Sequence, residues 1–164
     1  MTGLISSPSA QPDPNGAVVV ADGWFPPVAL DAVRKRLRLG AGSITSEMLT
    51  EAIEGGMLHA FRELSDWRSA RAASGAATLA DVTDQTVNGR NLGVVLWERV
   101  VRYFAAADLF AENRDISATD HGLDRAAEKE SSADEFRRNA LAAVADLRSL
   151  GAEVEMPRNR VSLL

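Results

Sequence analysis

Apolar residues recur every three or four positions along three long stretches of the chain, and this period predicts three amphipathic α-helices. The first stretch follows Thr45, a residue type that caps helix N-termini, and extends to about Ala73. The other two cover about residues 91–112 and 125–150. The positions predicted to face inward in the first stretch are Leu49, Ile53, Gly56, Ala60, Leu64 and Trp67.

The segment before these helices combines a short apolar run with a proline-rich turn. "AVVVADG" is β-like and ends at Gly23, and "WFPP" leads into "VALDAVRKRLRL", which is long enough for two or three helical turns. Pro27 suits the first turn of that helix, where a missing N–H costs little. After the first long helix, "AATLADVTDQTVNG" has no clear period and predicts a polar connection.

These patterns predict an all-α fold, a small antiparallel bundle of about four helices with an extended arm at each end. Residues 1–22 are expected to be a flexible or partner-ordered N-terminal arm, and residues 23–151 the helical domain. Residues 152–164 alternate imperfectly around Pro157, which predicts an extended C-terminal tail. The pair Gly55-Gly56 inside the first long helix predicts either a close helix approach or a kink.

The composition is that of a globular protein, with 46% hydrophobic and 25% charged residues among 164 and a formal net charge of -5. The absence of cysteine excludes disulfides, thiolate catalysis and cysteine-based metal sites. The opening residues lack a secretory pattern, and no apolar run is long enough for a membrane span. We therefore expect a protein made in the cytoplasm with no membrane association.

Candidate catalytic and metal-binding motifs fail on inspection. His59 and His121 lie in different elements, and neither has a second ligand at metal-binding spacing. "DISATDHG" resembles a calcium loop, but Asp120 stands where that loop needs its glycine. "LGAGSIT" lacks the phosphate-loop lysine, and no Ser, His and Asp set has a recognisable context. The sequence predicts no enzyme activity, cofactor or metal.

The charge pattern leaves two interpretations open at each of two places. "RKRLR" is the densest basic run. In one interpretation it contacts DNA phosphates or an acidic partner. In the other it is the solvated face of a short helix. "DRAAEKESSADEFRR" is either an exposed face with many ion pairs or a subunit contact. The residues of the basic run that are candidates for proximity to DNA are Arg34, Lys35, Arg36 and Arg38.

The order of motifs along the chain identifies a family. "FP" introduces a short helix, followed by "ITSEMLTEAI", "RELSDWRSAR" and "TLADV". The block "LWERVVRYFAAADLFAENRDISATDHG", an acidic segment with "FRR" and a final "RVSLL" complete the order. From about Trp24 to Leu164, this resembles the head completion/stabilisation proteins of tailed phages, the GpL family. The chain departs from the family pattern in its long leader and in Gly55-Gly56.

The resemblance implies a structural role without a reaction. Proteins of this kind are similar to helical adaptors that bind beneath the portal after DNA packaging and form a ring, expected to be twelvefold. The ring would extend the DNA channel, help to retain the genome and dock the tail. The implied partners are the portal protein, further copies of the chain, tail or neck proteins and the packaged DNA, and the implied location is the virion neck after synthesis in the host cytoplasm.

The resemblance also suggests which residues make these contacts. The C-terminal tail would bind portal by adding a strand to a sheet edge, and small residues would allow close packing between subunits. The tail candidates are Arg158, Arg160, Val161, Leu163 and Leu164. The subunit-packing candidates are Trp24, Phe25, Gly56, Ala60, Ala105 and Ala106.

Two alternatives remain open at this point. Trp24 and Phe25 form either an internal staple that covers one end of the bundle, or an anchor that packs on the next subunit or the portal. The alternative function is a small helical DNA-binding protein, a regulator or packaging subunit that uses the basic run. That function requires a recognition helix with exposed base-reading residues, and none is evident in the sequence.

Overall fold

The computed structural model describes residues 12–39, 44–112 and 122–151, with the backbone alone for residues 122–131. Four α-helices dominate this part of the chain, which confirms the predicted all-α fold. They are α1 (Leu30–Leu37), α2 (Ser46–Ala73), α3 (Leu92–Glu112) and α4 (Gly122–Arg148). A 3-10 helix at Leu79–Val82 and four two-residue strands accompany them: β1 (Val18–Val19), β2 (Val28–Ala29), β3 (Thr86–Val87) and β4 (Arg90–Asn91).

Helix α3 is central because α2 and α4 both pack against it and have little contact with each other. The α2 contact runs antiparallel: Phe61 of α2 lies beside Trp97, and Gly56, earlier in α2, lies beside Ala105, later in α3. On the α4 side, Phe136 contacts Phe110 at a ring-centroid distance of 5.1 Å. Burial on two sides explains why α3 is the most apolar of the helices.

The long α2 helix begins as the sequence predicts and runs through its glycine pair without interruption. The Thr45 side chain accepts a hydrogen bond from the Met48 N–H at 3.3 Å, so Thr45 is the N-cap. A Cβ placed on Gly56 would lie 2.6 Å from the Val101 carbonyl oxygen and 3.0 Å from the Ala105 nitrogen. The glycine therefore serves a close approach of α2 to α3, and it does not mark a kink.

The predicted start of the first helix is wrong by about one turn. Val28 and Ala29 are extended and pair antiparallel with Val19 and Val18, so α1 begins only at Leu30. Pro27 consequently precedes a strand rather than occupying a helical first turn. The pairing partner is the predicted β-like run, and its backbone hydrogen bonds hold this segment extended.

The N-terminal boundary also differs from the prediction, because the chain joins the body well before residue 22. Val19 is buried in the core, and the Leu30 N–H donates to the Ala17 carbonyl at 3.0 Å. Residues 12–22 thus pack on the helices and are not a free arm. Residues 1–11, 40–43 within "LGAGSIT", 113–121 with His121, and 152–164 lie outside the described residues.

The connection between α2 and α3 has more regular structure than its sequence pattern suggested. Thr78 and Asp81 form a capping box at the 3-10 helix, with the Thr78 N–H 2.7 Å from Asp81 Oδ2. The β3–β4 hairpin turns through Asn88 and Gly89, which have φ values of 51° and 71°. Asn-Gly is the sequence signature of such a turn, and its flanking residues are too polar to display strand alternation.

Replacing Gly56 by alanine tests the close approach of α2 to α3. The added methyl group has backbone atoms as its nearest neighbours, so the helices must separate, at a cost of about 1–3 kcal/mol in the free energy of unfolding. Gly55→Ala is the matched control, because its nearest neighbour is the movable end of the Asp108 side chain at 3.0 Å. Urea unfolding should therefore show a large loss for the first variant and little or none for the second. Equal effects of the two variants would contradict this account.

Candidate functional site

Five aromatic side chains meet where the N-terminal segment crosses the bundle, and we call this cluster the aromatic junction. Trp24 and Phe25 are only 7% and 2% exposed. Phe25 stacks on Trp97 with ring centroids 4.2 Å apart, and Trp24 meets Trp67 edge to face at 5.9 Å. The members are Trp24, Phe25, Phe61, Trp67 and Trp97.

The polar groups of the aromatic junction are satisfied inside the chain. Trp24 Nε1 donates to the Ala76 carbonyl at 3.1 Å, and Trp97 Nε1 donates to the Pro26 carbonyl at 2.9 Å. The Trp24 carbonyl accepts from the Leu79 N–H at 2.9 Å. Buried rings with internally bonded N–H groups support the internal staple, because an anchor for a partner would expose its ring in the free chain.

Asp22 fixes the turn that carries the two rings. Its Oδ1 atom accepts from the N–H groups of Trp24 and Phe25 at 3.1 and 3.0 Å. Its Oδ2 atom lies 2.9 Å from Arg68 Nη2, and the Arg68 guanidinium also lies over the Trp24 ring. The sequence "DGWFPP" is therefore one unit, an acidic turn residue followed by two core side chains.

The end of α4 reaches the same region of α2. Trp67 Nε1 lies 3.4 Å from the Leu150 carbonyl, and Arg71 donates to the Gly151 carbonyl. Gly151 has φ 67°, the left-handed conformation that favours glycine after a helix. The described chain thus ends at a point held by the C-terminal half of α2. The sequence pattern did not predict this contact, although "RELSDWRSAR" supplies both of the α2 residues.

The small residues proposed for subunit packing lie inside the chain. Ala60, Ala105 and Ala106 have no solvent exposure, and Gly56 is buried against α3. The close packing that these residues were expected to allow occurs between helices of one chain. A neighbouring subunit would reach them only if the helices separated, so their role between subunits stays a prediction.

One member of the basic run, Arg34, is committed to an internal contact. Its Nε and Nη2 atoms lie 2.5 and 2.7 Å from the two carboxylate oxygens of Asp13. Arg34 Nη1 also donates to the Ile44 carbonyl, and Ser46 Oγ donates to Asp13 Oδ1. The hydrogen bond from Arg34 is the main cause of a lowered pKa at Asp13. This arrangement joins the N-terminal segment to α1 and to the start of α2.

The other basic residues of the run are exposed. Lys35 Nζ lies 3.1 Å from Asp31 Oδ2 on the surface of α1. Arg36 and Arg38 are solvated. The solvated-face interpretation of "RKRLR" therefore describes these three residues but not Arg34.

His59 has a carboxylate neighbour but no metal-binding set. Its Nε2 atom lies 3.9 Å from Asp108 Oδ2, and its ring stacks on Phe104. Burial raises the pKa of Asp108. Among the described residues, no three His, Asp or Glu side chains are grouped so that they could hold a metal ion. In the same part of the chain, none of the helices combines the length and hydropathy required of a membrane span.

Comparison with known proteins identifies the family. The model of the phage head completion protein (GPL) family matches residues 19–156. The chain belongs to this family. It is also similar to the head completion/stabilization protein of Escherichia phage P2, with 33% identity over 135 residues that cover 82% of this chain and 79% of the relative. No solved structure was found to match.

The family match extends over the described helical body and beyond it. It includes the aromatic junction, all four described helices and the contact of α2 with Gly151. Asp13 lies outside the matched residues, whereas its partner Arg34 lies within them. The Asp13–Arg34 contact therefore joins residues that precede the family match to the helical body.

Trp24→Ala separates the internal staple from the anchor. We expect a loss of about 3–5 kcal/mol in the free energy of unfolding, because a buried ring is removed. Trp24→Phe is the control: it keeps an aromatic ring but loses the hydrogen bond to Ala76, so its loss should be smaller. Thermal melting of the monomer measures the loss of stability in both variants. A Trp24→Ala monomer that melts like the unmodified chain but no longer assembles would support the anchor instead.

Asp13→Asn tests the contact between the leader and α1. At pH 7 we expect a loss of about 1–3 kcal/mol in the free energy of unfolding, because charge-assisted hydrogen bonds to Arg34 disappear. Asp31→Asn is the control, since its pair with Lys35 is exposed and contributes at most about 1 kcal/mol.

Asp13→Asn also tests how the stabilising contribution of Asp13 depends on pH. The folded pKa of Asp13 is lowered from its ordinary value of 3.8, so its stabilising contribution is complete above that pH. The contribution is lost as the pH falls through the folded pKa. The stability gap between the unmodified chain and Asp13→Asn should stay constant from about pH 7 to pH 5 and narrow below about pH 4. A stability difference between the two chains that does not change in acid would contradict a stabilising role of the Asp13 carboxylate.

Proposed function

We propose that this chain is a structural adaptor that completes the phage head by assembling as a ring on the portal after genome packaging. The observation that carries the proposal is the family match over residues 19–156, together with the similarity to a head completion/stabilization protein. The ring, expected to be twelvefold, extends the DNA channel, helps to retain the genome and presents a docking surface for the tail. Its place is the neck of the virion.

The helical body supports this function because contacts with α2 hold the residues that directly precede the C-terminal tail. Trp67 and Arg71 of α2 contact the last described residues, Leu150 and Gly151. The tail that follows therefore starts from a fixed position on the body. A fixed starting point restricts the volume that a tail explores, which raises its effective concentration at a nearby partner.

The tail itself has the composition of a strand that binds a sheet edge. It carries basic residues and alternating apolar ones after Pro157: Arg158, Arg160, Val161, Leu163 and Leu164. Main-chain hydrogen bonds to an exposed edge of the portal would supply affinity, and alternate side chains would supply specificity. Repetition around a ring makes a weak contact of each subunit sufficient.

The charge of the chain suits a DNA conduit. With a formal net charge of -5, a ring of this protein repels phosphate overall and does not trap the passing genome. The DNA-binding alternative has less support, because Arg34 of the basic run pairs with Asp13 and the other basic residues of that run lie on or directly after one short helix.

Truncation after Met156 tests the role of the tail. We expect the shortened chain to fold as a soluble helical protein and to lose at least about tenfold in affinity for portal, since the main-chain contacts are removed. Co-sedimentation with purified portal measures binding, and circular dichroism measures folding. A chain in which residues 157–164 are scrambled at constant composition is the control, and it should also fail, because the alternation is lost.

Two other results would contradict the proposal. Full-strength binding of the truncated chain to portal would exclude the tail as the contact. Salt-dependent binding of the isolated protein to duplex DNA, abolished by Arg36→Glu with Arg38→Glu, would favour the DNA-binding alternative. Native mass spectrometry of the chain with and without portal then distinguishes a ring from a monomeric complex.

A further inference from the structure

The outward side of α2 carries an acidic surface beside exposed apolar side chains. Glu47, Glu51 and Glu54 are exposed, and Leu58, one turn further on, is 63% exposed. Val18 of β1 borders the same surface and is 48% exposed. We call these five residues the acidic face. Among the described residues, no cation lies within ion-pair distance of its three carboxylates.

A groove runs along the acidic face. It has a volume of about 530 Å³, and its lining includes Val18, Leu30 and the three glutamates of the acidic face. The wall formed by β1 and α1 is apolar, whereas the wall formed by α2 is acidic. A long cationic side chain with an apolar stem fits such a groove, because the stem can pack on one wall while the charge meets the other.

The outward side of α3 carries the complementary chemistry. The guanidinium groups of Arg99 and Arg102 both lie over the ring of Tyr103, at 5.4 and 5.2 Å from its centroid. The ion-pair partner of their neighbour Glu98 is Arg90. No described carboxylate lies within ion-pair distance of either arginine. We call Arg99, Arg102 and Tyr103 the basic face.

The two faces point away from each other. Residues two positions apart in a helix are about 200° apart around its axis. Glu54 and Leu58 are each two positions from Gly56, which contacts α3, so they lie on the far side of α2. Arg99 is two positions from Val101, whose carbonyl faces Gly56, so it lies on the far side of α3. Arg99 and the acidic face therefore lie on opposite sides of the α2–α3 pair, and Tyr103 borders α4, where its ring lies 6.2 Å from that of Phe136.

We propose that the basic face of one copy docks on the acidic face of the next copy, and that this contact forms the ring. The inference rests on the ring of the proposed function and names the surfaces that build it. A ring needs a head-to-tail interface in which two different patches of the chain meet, and faces on opposite sides of the body provide them. Arginine and tyrosine, the residue types of the basic face, are enriched at interface cores and among the residues that contribute most to binding.

Charge reversal with complementation in trans tests this contact. One variant carries Glu51→Arg and Glu54→Arg, and the other carries Arg99→Glu and Arg102→Glu. Each alone brings like charges together, so we expect at least a tenfold loss of chains retained on portal-bearing heads. An equimolar mixture restores complementary pairs at every contact and should recover assembly. The control variant, Glu135→Arg with Arg138→Glu on the exposed side of α4, should assemble normally.

Cross-linking gives a second measurement that does not require heads. The chain has no cysteine, so Glu54→Cys and Arg99→Cys each introduce one thiol. In concentrated solution, a short bis-maleimide should join a Glu54→Cys chain to an Arg99→Cys chain and should join neither to itself. In the charge-reversal experiment, Arg99→Glu alone is a milder variant than the double substitution, because Arg99 is more exposed than Arg102. Thermal melting verifies that every variant is folded.

The outcomes separate this inference from the proposed function. Heads that retain both charge-reversed variants at full level would overturn the inference and leave the adaptor function intact. Loss with each variant and no recovery in the mixture would also overturn it, and would show that the faces bind portal or DNA instead. Absence of cross-links between the two cysteine chains, in solution and on heads, would overturn it as well. If heads do not retain the unmodified chain, the adaptor function fails, and the cross-linking still decides the contact.

Discussion

The stacking of Phe25 on Trp97 joins the N-terminal segment to the central helix, and the other contacts of this region depend on it. Trp97 is fully buried and donates to the Pro26 carbonyl, so the turn with two prolines lies directly on α3. Once this turn is in place, Trp24 reaches Trp67 and the Ala76 carbonyl. A single short segment thereby connects α2, α3 and the connection between them.

The second constraint is the distance between α2 and α3, which Gly56 sets. The close approach brings the remaining side chains of both helices into contact, including the stacking of His59 on Phe104. Close contact on one side of α2 also determines which residues remain on its outer side. The surface that is available to partners therefore follows from the core, because a helix that buries one stripe must expose the opposite one.

The long helices were predictable from the sequence because their apolar period continues over several turns. The ends of α2 and α3 agree with prediction to within a residue or two, and Thr45 is the predicted cap. The short elements were not predictable in the same way. Two residues of strand, such as Val28–Ala29, contain no period, and only the partner strand makes them extended. The Asn88-Gly89 pair is a sequence signature of a hairpin turn, but its polar flanking residues lack the alternation that would predict the two strands.

The candidate site was less predictable than the fold, since a sequence does not tell which charges meet. Arg34 and Arg36 stand two positions apart in one basic run, yet Arg34 is half-buried and paired with Asp13, whereas Arg36 is solvated. The partner of Arg34 lies twenty-one positions away, outside any helical spacing. Small residues were similarly ambiguous, because alanine and glycine allow close packing within a chain as well as between chains.

For the proposed ring, the distribution of charge matters more than its sum. A net charge of -5 is compatible with repulsion between copies, which would oppose a ring. Separating the charges into an acidic side on α2 and a basic side on α3 turns that repulsion into an orientation preference, because only head-to-tail neighbours bring opposite signs together. The same separation disfavours a symmetric dimer, in which like faces would meet. The packing of α2 and α3 thus fixes a polarity on the body, and a ring requires such a polarity.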